Sequence, residues 1–118
     1  PRLVAVDIRG YGRDTEAADM RAYDMLVQAE SGACAVTGTA EGMAKVGFSV
    51  ADIATGLNAH AAILEALLGR SVSGMGRAIE IAMFDVMADC MAVPLLHWVE
   101  AGRDTPRVGL AHPAIAPY

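Results

Sequence analysis

The sequence predicts an α/β fold of the open-sheet kind. Two short segments read as strands: LVAVDI at 3–8 is rich in β-branched residues, and RAIEIAM at 77–83 alternates, with Ile79 and Ile81 on one face. Between and after them lie long stretches with apolar residues at helical spacing. The first strand also runs straight into RGYGRD, a glycine loop leaving its carboxyl end, the place where open α/β sheets bind ligands.

Taken in order, Leu3–Ile8 is the first strand and 9–14 the loop. The pattern over 15–29 predicts a helix, with Met20, Tyr23, Leu26 and Val27 on one face. Residues 30–47 carry Gly32, Gly38, Gly42 and Gly47 and predict a loop with short extended pieces.

A long helix follows, starting near Ser49 and ending near Leu68. Ser49 and Asp52 have the S-x-x-D spacing of a capping box. Ile53, Leu57, Ala61, Leu64 and Leu68 then form one stripe that is expected to be buried. Asp52 falls in the first helical turn, where unpaired N–H groups and the helix dipole favour a carboxylate. A structural cap and a poised nucleophile are both open readings of it.

A turn is expected over 69–76, then the second strand. The pattern over 84–101 predicts a second helix, with Phe84, Met87, Met91 and Leu95 inward, a kink or break at Pro94 and a closing Gly102. The tail RDTPRVGLAHPAIAPY has three prolines and no periodicity.

Composition narrows the function classes. The 118 residues make one domain or part of one. At 54% hydrophobic and mean hydropathy +0.36, the chain is apolar for its size, which predicts burial against a partner subunit or further chain. A net charge of −5 without a Lys/Arg run argues against nucleic acid. No apolar run reaches membrane-span length and no signal-peptide core is evident. Cys34 and Cys90 form no CxxC or zinc spacing, so reduced, buried thiols in a cytoplasmic protein are expected. His60, His97 and His112 show no metal-ligand spacing, and no metal site is expected. His60 and His97 are read as hydrogen-bonded structural residues, and Met83, Met87 and Met91 as a core stripe.

GxGxxG, Walker A, HExxH and GxSxG are absent. What the chain carries is an ordered set of pieces: GYG at 10–12, AYD at 22–24, QAESG at 28–32, VTG at 36–38, KVG at 45–47, ADIATG at 51–56, GMGRAIEIAMFD at 74–85 and HPAIAPY at 112–118. In order and wording it resembles the family III CoA-transferases, the group that includes formyl-CoA transferase and α-methylacyl-CoA racemase. The resemblance implies a segment of that Rossmann-like α/β fold. It also implies a homodimer in which two full-length subunits interlock like linked rings. Residues 1–118 are then a single partial domain, the central catalytic segment of a longer enzyme. The adenine-binding part of the CoA site and a later glycine-rich loop are expected outside it.

The resemblance places the catalytic aspartate at Asp52. It places Tyr23 and Asp24, after Ala22, at the thioester end of CoA, with Arg21 near a CoA phosphate or the pantetheine. Coenzyme A and acyl-CoA enter as substrates, and no tightly bound cofactor is implied. The implied reaction moves CoA from an acyl-CoA donor to a carboxylic acid acceptor, with a dicarboxylic acid as the expected type. Racemases of the family carry a histidine where Tyr23 stands, which counts against the alternative of an acyl-CoA racemase. A further alternative, for the isolated 118 residues, is an inactive association fragment.

Overall fold

The computed structural model describes residues 1–117; Tyr118, the end of the HPAIAPY segment, lies outside the described residues. The elements are strand β1 (Ala5–Arg9), helix α1 (Asp24–Glu30), a single helical turn α2 (Ala33–Val36), strands β2 (Gly38–Thr39) and β3 (Gly42–Met43), helix α3 (Val50–Ser73), strand β4 (Ala78–Ala82), and helices α4 (Met83–Cys90) and α5 (Ala92–Ala101).

β1 and β4 pair in parallel, with Ala5 opposite Ala78 and Arg9 opposite Ala82. Parallel neighbours need a crossover between them, and α3 supplies it, packing on both strands. β2 and β3 form a small antiparallel hairpin within the expected loop. The core gathers Val27, Ala33, Ala51 and Met87 where α1, α2, α4 and the start of α3 meet, with Ala22, Val50, Met83 and Met91 packed against it. The molecule is elongated. Its radius of gyration is 17.3 Å, against about 13.5 Å for a compact domain of this length.

Several boundaries differ from the sequence expectation for physical reasons. The helix expected over 15–29 begins only at Asp24. Residues before it close i→i+3 turns, Thr15 N–H to Gly12 O, Ala18 N–H to Thr15 O and Met20 N–H to Ala17 O, rather than helical bonds. Ala22 packs so closely on Gly10 that any side chain at position 10 would collide with it. Tyr23 then sits in extended backbone as the N-cap of α1. The GYG loop thus fixes where α1 can start.

α3 runs through the turn expected at Gly69 and stops at Gly74, whose φ of 72° is the left-handed C-terminal conformation. The expected break at Pro94 falls earlier: α4 ends at Cys90 and α5 starts at Ala92. Proline excludes a bond to, and crowds, the carbonyl four residues back, which here is Cys90.

The largest correction concerns α3. The stripe of Ile53, Leu57, Ala61, Leu64 and Leu68 is exposed, with Leu57 at 65% and Leu68 at 70%. The chain instead buries Ala51, Thr55, Ala59 and Ala66. Small residues let α3 approach α1, α4 and the strands closely, whereas periodicity marks a face that needs cover without naming what covers it. Similarly Leu95 is exposed on α5, a helix with no buried residue.

Met83, Met87 and Met91 do form a buried or half-buried stripe. The cysteines are free, but Cys34 is only half-buried and Cys90 is exposed, so the expectation of burial is corrected. His97 Nδ1 lies 3.1 Å from Thr105 Oγ1, while His60 is exposed on α3. Among the described residues no helix is long and apolar enough to cross a membrane.

Candidate active site

Asp52 occupies the first turn of the 24-residue α3 and is exposed. The expected capping box is not made: Ser49 is the N-cap residue, but its side chain bonds no backbone N–H. The cap comes from another helix. Asp24 Oδ1 accepts the Ala51 N–H at 2.8 Å across 27 residues of sequence. This charge-assisted bond satisfies one of the unpaired donors at the start of α3.

The other oxygen of Asp24 is also engaged, since Gln28 Nε2 donates to Oδ2 at 2.7 Å. Gln28 Oε1 in turn accepts the Val46 N–H at 2.8 Å. Gln28 is 0% exposed, so both ends of its amide are satisfied away from water, as a buried polar group requires. α1 therefore holds the segment leading into Asp52 at two points.

These bonds tie one of the expected site residues, Asp24, to the residue before Asp52. Tyr23 precedes the residue that caps Ala51, and Asp52 follows Ala51. Tyr23 is 66% exposed, and Arg21 is exposed as well. Ala22 is half-buried and committed to Gly10 and the core. Asp24 has both oxygens turned to α3 and Gln28, a cap rather than an open ligand contact. Among the described residues no three of His, Cys, Asp and Glu stand close enough to hold a metal ion. Sequence reasoning missed Gln28. The sequence pattern puts Gln28 off the apolar face of this helix, and only the structure shows it buried beside Val27.

Two other features lie apart from Asp52. An apolar groove of about 810 Å³ runs between α2, α4, α5 and the C-terminal segment, lined by Phe84, Met91, Leu95 and Arg107 among others, without Asp52, Tyr23 or Arg21. Arg107 bridges it, donating to the Ala35 and Thr39 carbonyls. At the strands, Arg13 donates its backbone N–H and its Nε–H to the Glu80 carboxylate. The backbone bond is the first cause holding that carboxyl below the usual range.

The fold and the site define a class: a mixed α/β chain presenting a carboxylate at the start of a long helix that is held from a second helix. The chain belongs to CoA-transferase family III, whose model matches residues 1–118. It is 39% identical over 119 residues to the succinate–glutarate CoA-transferase of Agrobacterium fabrum, covering 100% of this chain and 30% of that protein. It is 34% identical over 120 residues to the acetyl-CoA:oxalate CoA-transferase of Acetobacter aceti, covering 100% of this chain and 31% of that protein. Among solved structures, a CAIB/BAIF family protein from Brucella suis superposes with TM-score 0.91 at 36% identity, over 100% of this chain and 32% of that one. The chain thus spans under a third of the length of these relatives.

Proposed function

We propose that the longer enzyme to which this segment belongs is a CoA-transferase, and that Asp52 is its nucleophile. The observation that carries the reading is the exposed Asp52 carboxylate at the start of α3, in a family III chain, with Asp24, the neighbour of Tyr23, bonded to the residue before it. A carboxylate is a weak nucleophile, and positioning against a bound thioester supplies what it lacks.

Asp52 attacks the donor thioester carbonyl, the C–S bond breaks, and CoA leaves as thiolate from a mixed anhydride. The thiolate attacks the aspartyl carbonyl and releases the donor's carboxylate, leaving an Asp52–CoA thioester. The acceptor carboxylate then attacks that thioester, again releasing CoA thiolate and forming its own anhydride with Asp52. The thiolate attacks the acceptor carbonyl, yielding acceptor–CoA and free Asp52. Each exchange trades one activated acyl group for another, so none is steeply uphill. Backbone N–H donors to the tetrahedral oxyanions contribute roughly 3–4 kcal/mol each. Tyr23 packs against the thioester end of the substrate and Arg21 meets its phosphate or pantetheine.

The proposed acceptor is a dicarboxylic acid, which the names of the glutarate, oxalate and mesaconate transferases among its relatives support. The proposed working unit is an interlocked homodimer, which fits the uncovered apolar faces of α3 and α5. Tyr23, where racemases of the family carry histidine, favours transfer over racemisation.

Hydroxylamine trapping tests the chemistry. Full-length enzyme incubated with succinyl-CoA and hydroxylamine should carry a hydroxamate on Asp52. Asp52→Ala should lower turnover at least ~1,000-fold, as loss of a covalent nucleophile does. A variant retaining a tenth of wild-type turnover ends the nucleophile assignment. Deuterium exchange at the acyl α-carbon without an acceptor would instead mark a racemase.

A further inference from the structure

We infer that Asp24 and Gln28 are a positioning pair for Asp52, acting through the backbone of 46–51; the inference rests on the nucleophile reading of Asp52. The two bonds from α1 grip this segment near its ends, at the Val46 and Ala51 N–H groups. The residue after the second grip is Asp52, so the rotation of the first turn of α3 follows from where Asp24 and Gln28 stand.

The chemistry of the pair is selective. Two N–H donors point at it, so it must offer two outward acceptors and still bond to itself. That requires three acceptor positions and one donor: one carboxylate and one amide, which is what Asp24 and Gln28 supply. Two amides would set donor against donor between the side chains. Two carboxylates would set acceptor against acceptor and bury an extra charge. Exchanging the two functions, with the amide at 24 and the carboxylate at 28, recreates all three bonds. Gln28 is wholly buried and Asp24 half-buried, so water cannot readily replace a lost partner.

The test is a functional-group swap in the full-length enzyme, in this chain's numbering. Asp24→Asn and Gln28→Glu should each lower kcat about 100-fold, the scale expected when a reacting group moves by an ångström or so. KM for acyl-CoA should hold within about threefold, because uniform binding is untouched. The double variant D24N/Q28E should recover kcat to within about fivefold of wild type. Hydrogen–deuterium exchange of peptides spanning 46–55 supplies a readout that needs no catalysis: protected in wild type and the double variant, faster in each single variant. Should a single variant fail to fold, recovery of folding, exchange protection and turnover in the double variant still supports the pair. A double variant as slow as the singles, or singles that turn over like wild type, overturns it. An enzyme that shows the exchange pattern but transfers no CoA would refute the nucleophile reading and the positioning role, leaving a purely structural clamp.

Discussion

The start of α3 and the whole of α5 are both apolar in sequence, yet the chain treats them oppositely. Around the start of α3, Ala51 and Thr55 are buried, and hydrogen bonds from α1 hold the entry segment. α5, AVPLLHWVEA, has no buried residue at all. Hydrophobicity alone therefore does not fix position in this molecule. Directional bonds and close packing of small residues do, and both are present at the entry to α3. For the proposed nucleophile such a base matters, since errors of an ångström are costly to catalysis. The α5 face, by contrast, is free to meet whatever covers it.

Paired truncations give the largest test of this contrast. Met87, 3% exposed in the core beneath the site, should cost about 2–5 kcal/mol of stability when changed to Ala. Leu96 on α5, 56% exposed in this segment, should cost within about 0.5 kcal/mol when changed to Ala wherever nothing covers that helix, and more in the proposed dimer. Urea unfolding of both variants checks this. Equal costs would mean that α5 is covered in solution, and their dependence on protein concentration would identify a second copy as the cover.

Tyr23 sharpens the comparison on the functional side. It is exposed and caps nothing with its side chain, so Tyr23→Ala should leave stability nearly unchanged while lowering kcat/KM of the full-length enzyme about tenfold or more. Tyr23→Phe should lose less, because the ring is kept. Steady-state transfer assays and thermal melts on the same preparations decide it. A melting shift as large as that of Met87→Ala would make Tyr23 a structural residue.

The smallest effect expected lies at the β1–β4 pair. The Arg13 backbone N–H, then its guanidinium, lowers the Glu80 pKa. The stability this adds is present above the unfolded glutamate value of about 4.3 and is lost as pH falls through the lower folded value. Glu80→Gln should therefore be slightly less stable than wild type at neutral pH and converge with it as pH falls through the folded value, which flattens the acid limb. Denaturation midpoints measured across the acid range in both proteins would reveal an unchanged limb if the linkage is wrong.

What the sequence determined by itself was whatever depends on near neighbours along the chain. Both strands, the long helix, the closing glycine at Gly102 and Asp52 in a first turn all follow from spacing, and the ordered motif pieces identified the family. Tertiary structure decided the rest. Whether Ser49 or Asp24 caps α3 depends on a bond spanning 27 residues, which no local pattern encodes. Which face of α3 is covered depends on how closely α1, α4 and the strands approach, and that approach selects Ala51, Thr55, Ala59 and Ala66 over the larger leucines. The start of α1 waits on Gly10 admitting Ala22. In each case the deciding energy is a contact between segments far apart in sequence, so it exists only once the chain has folded.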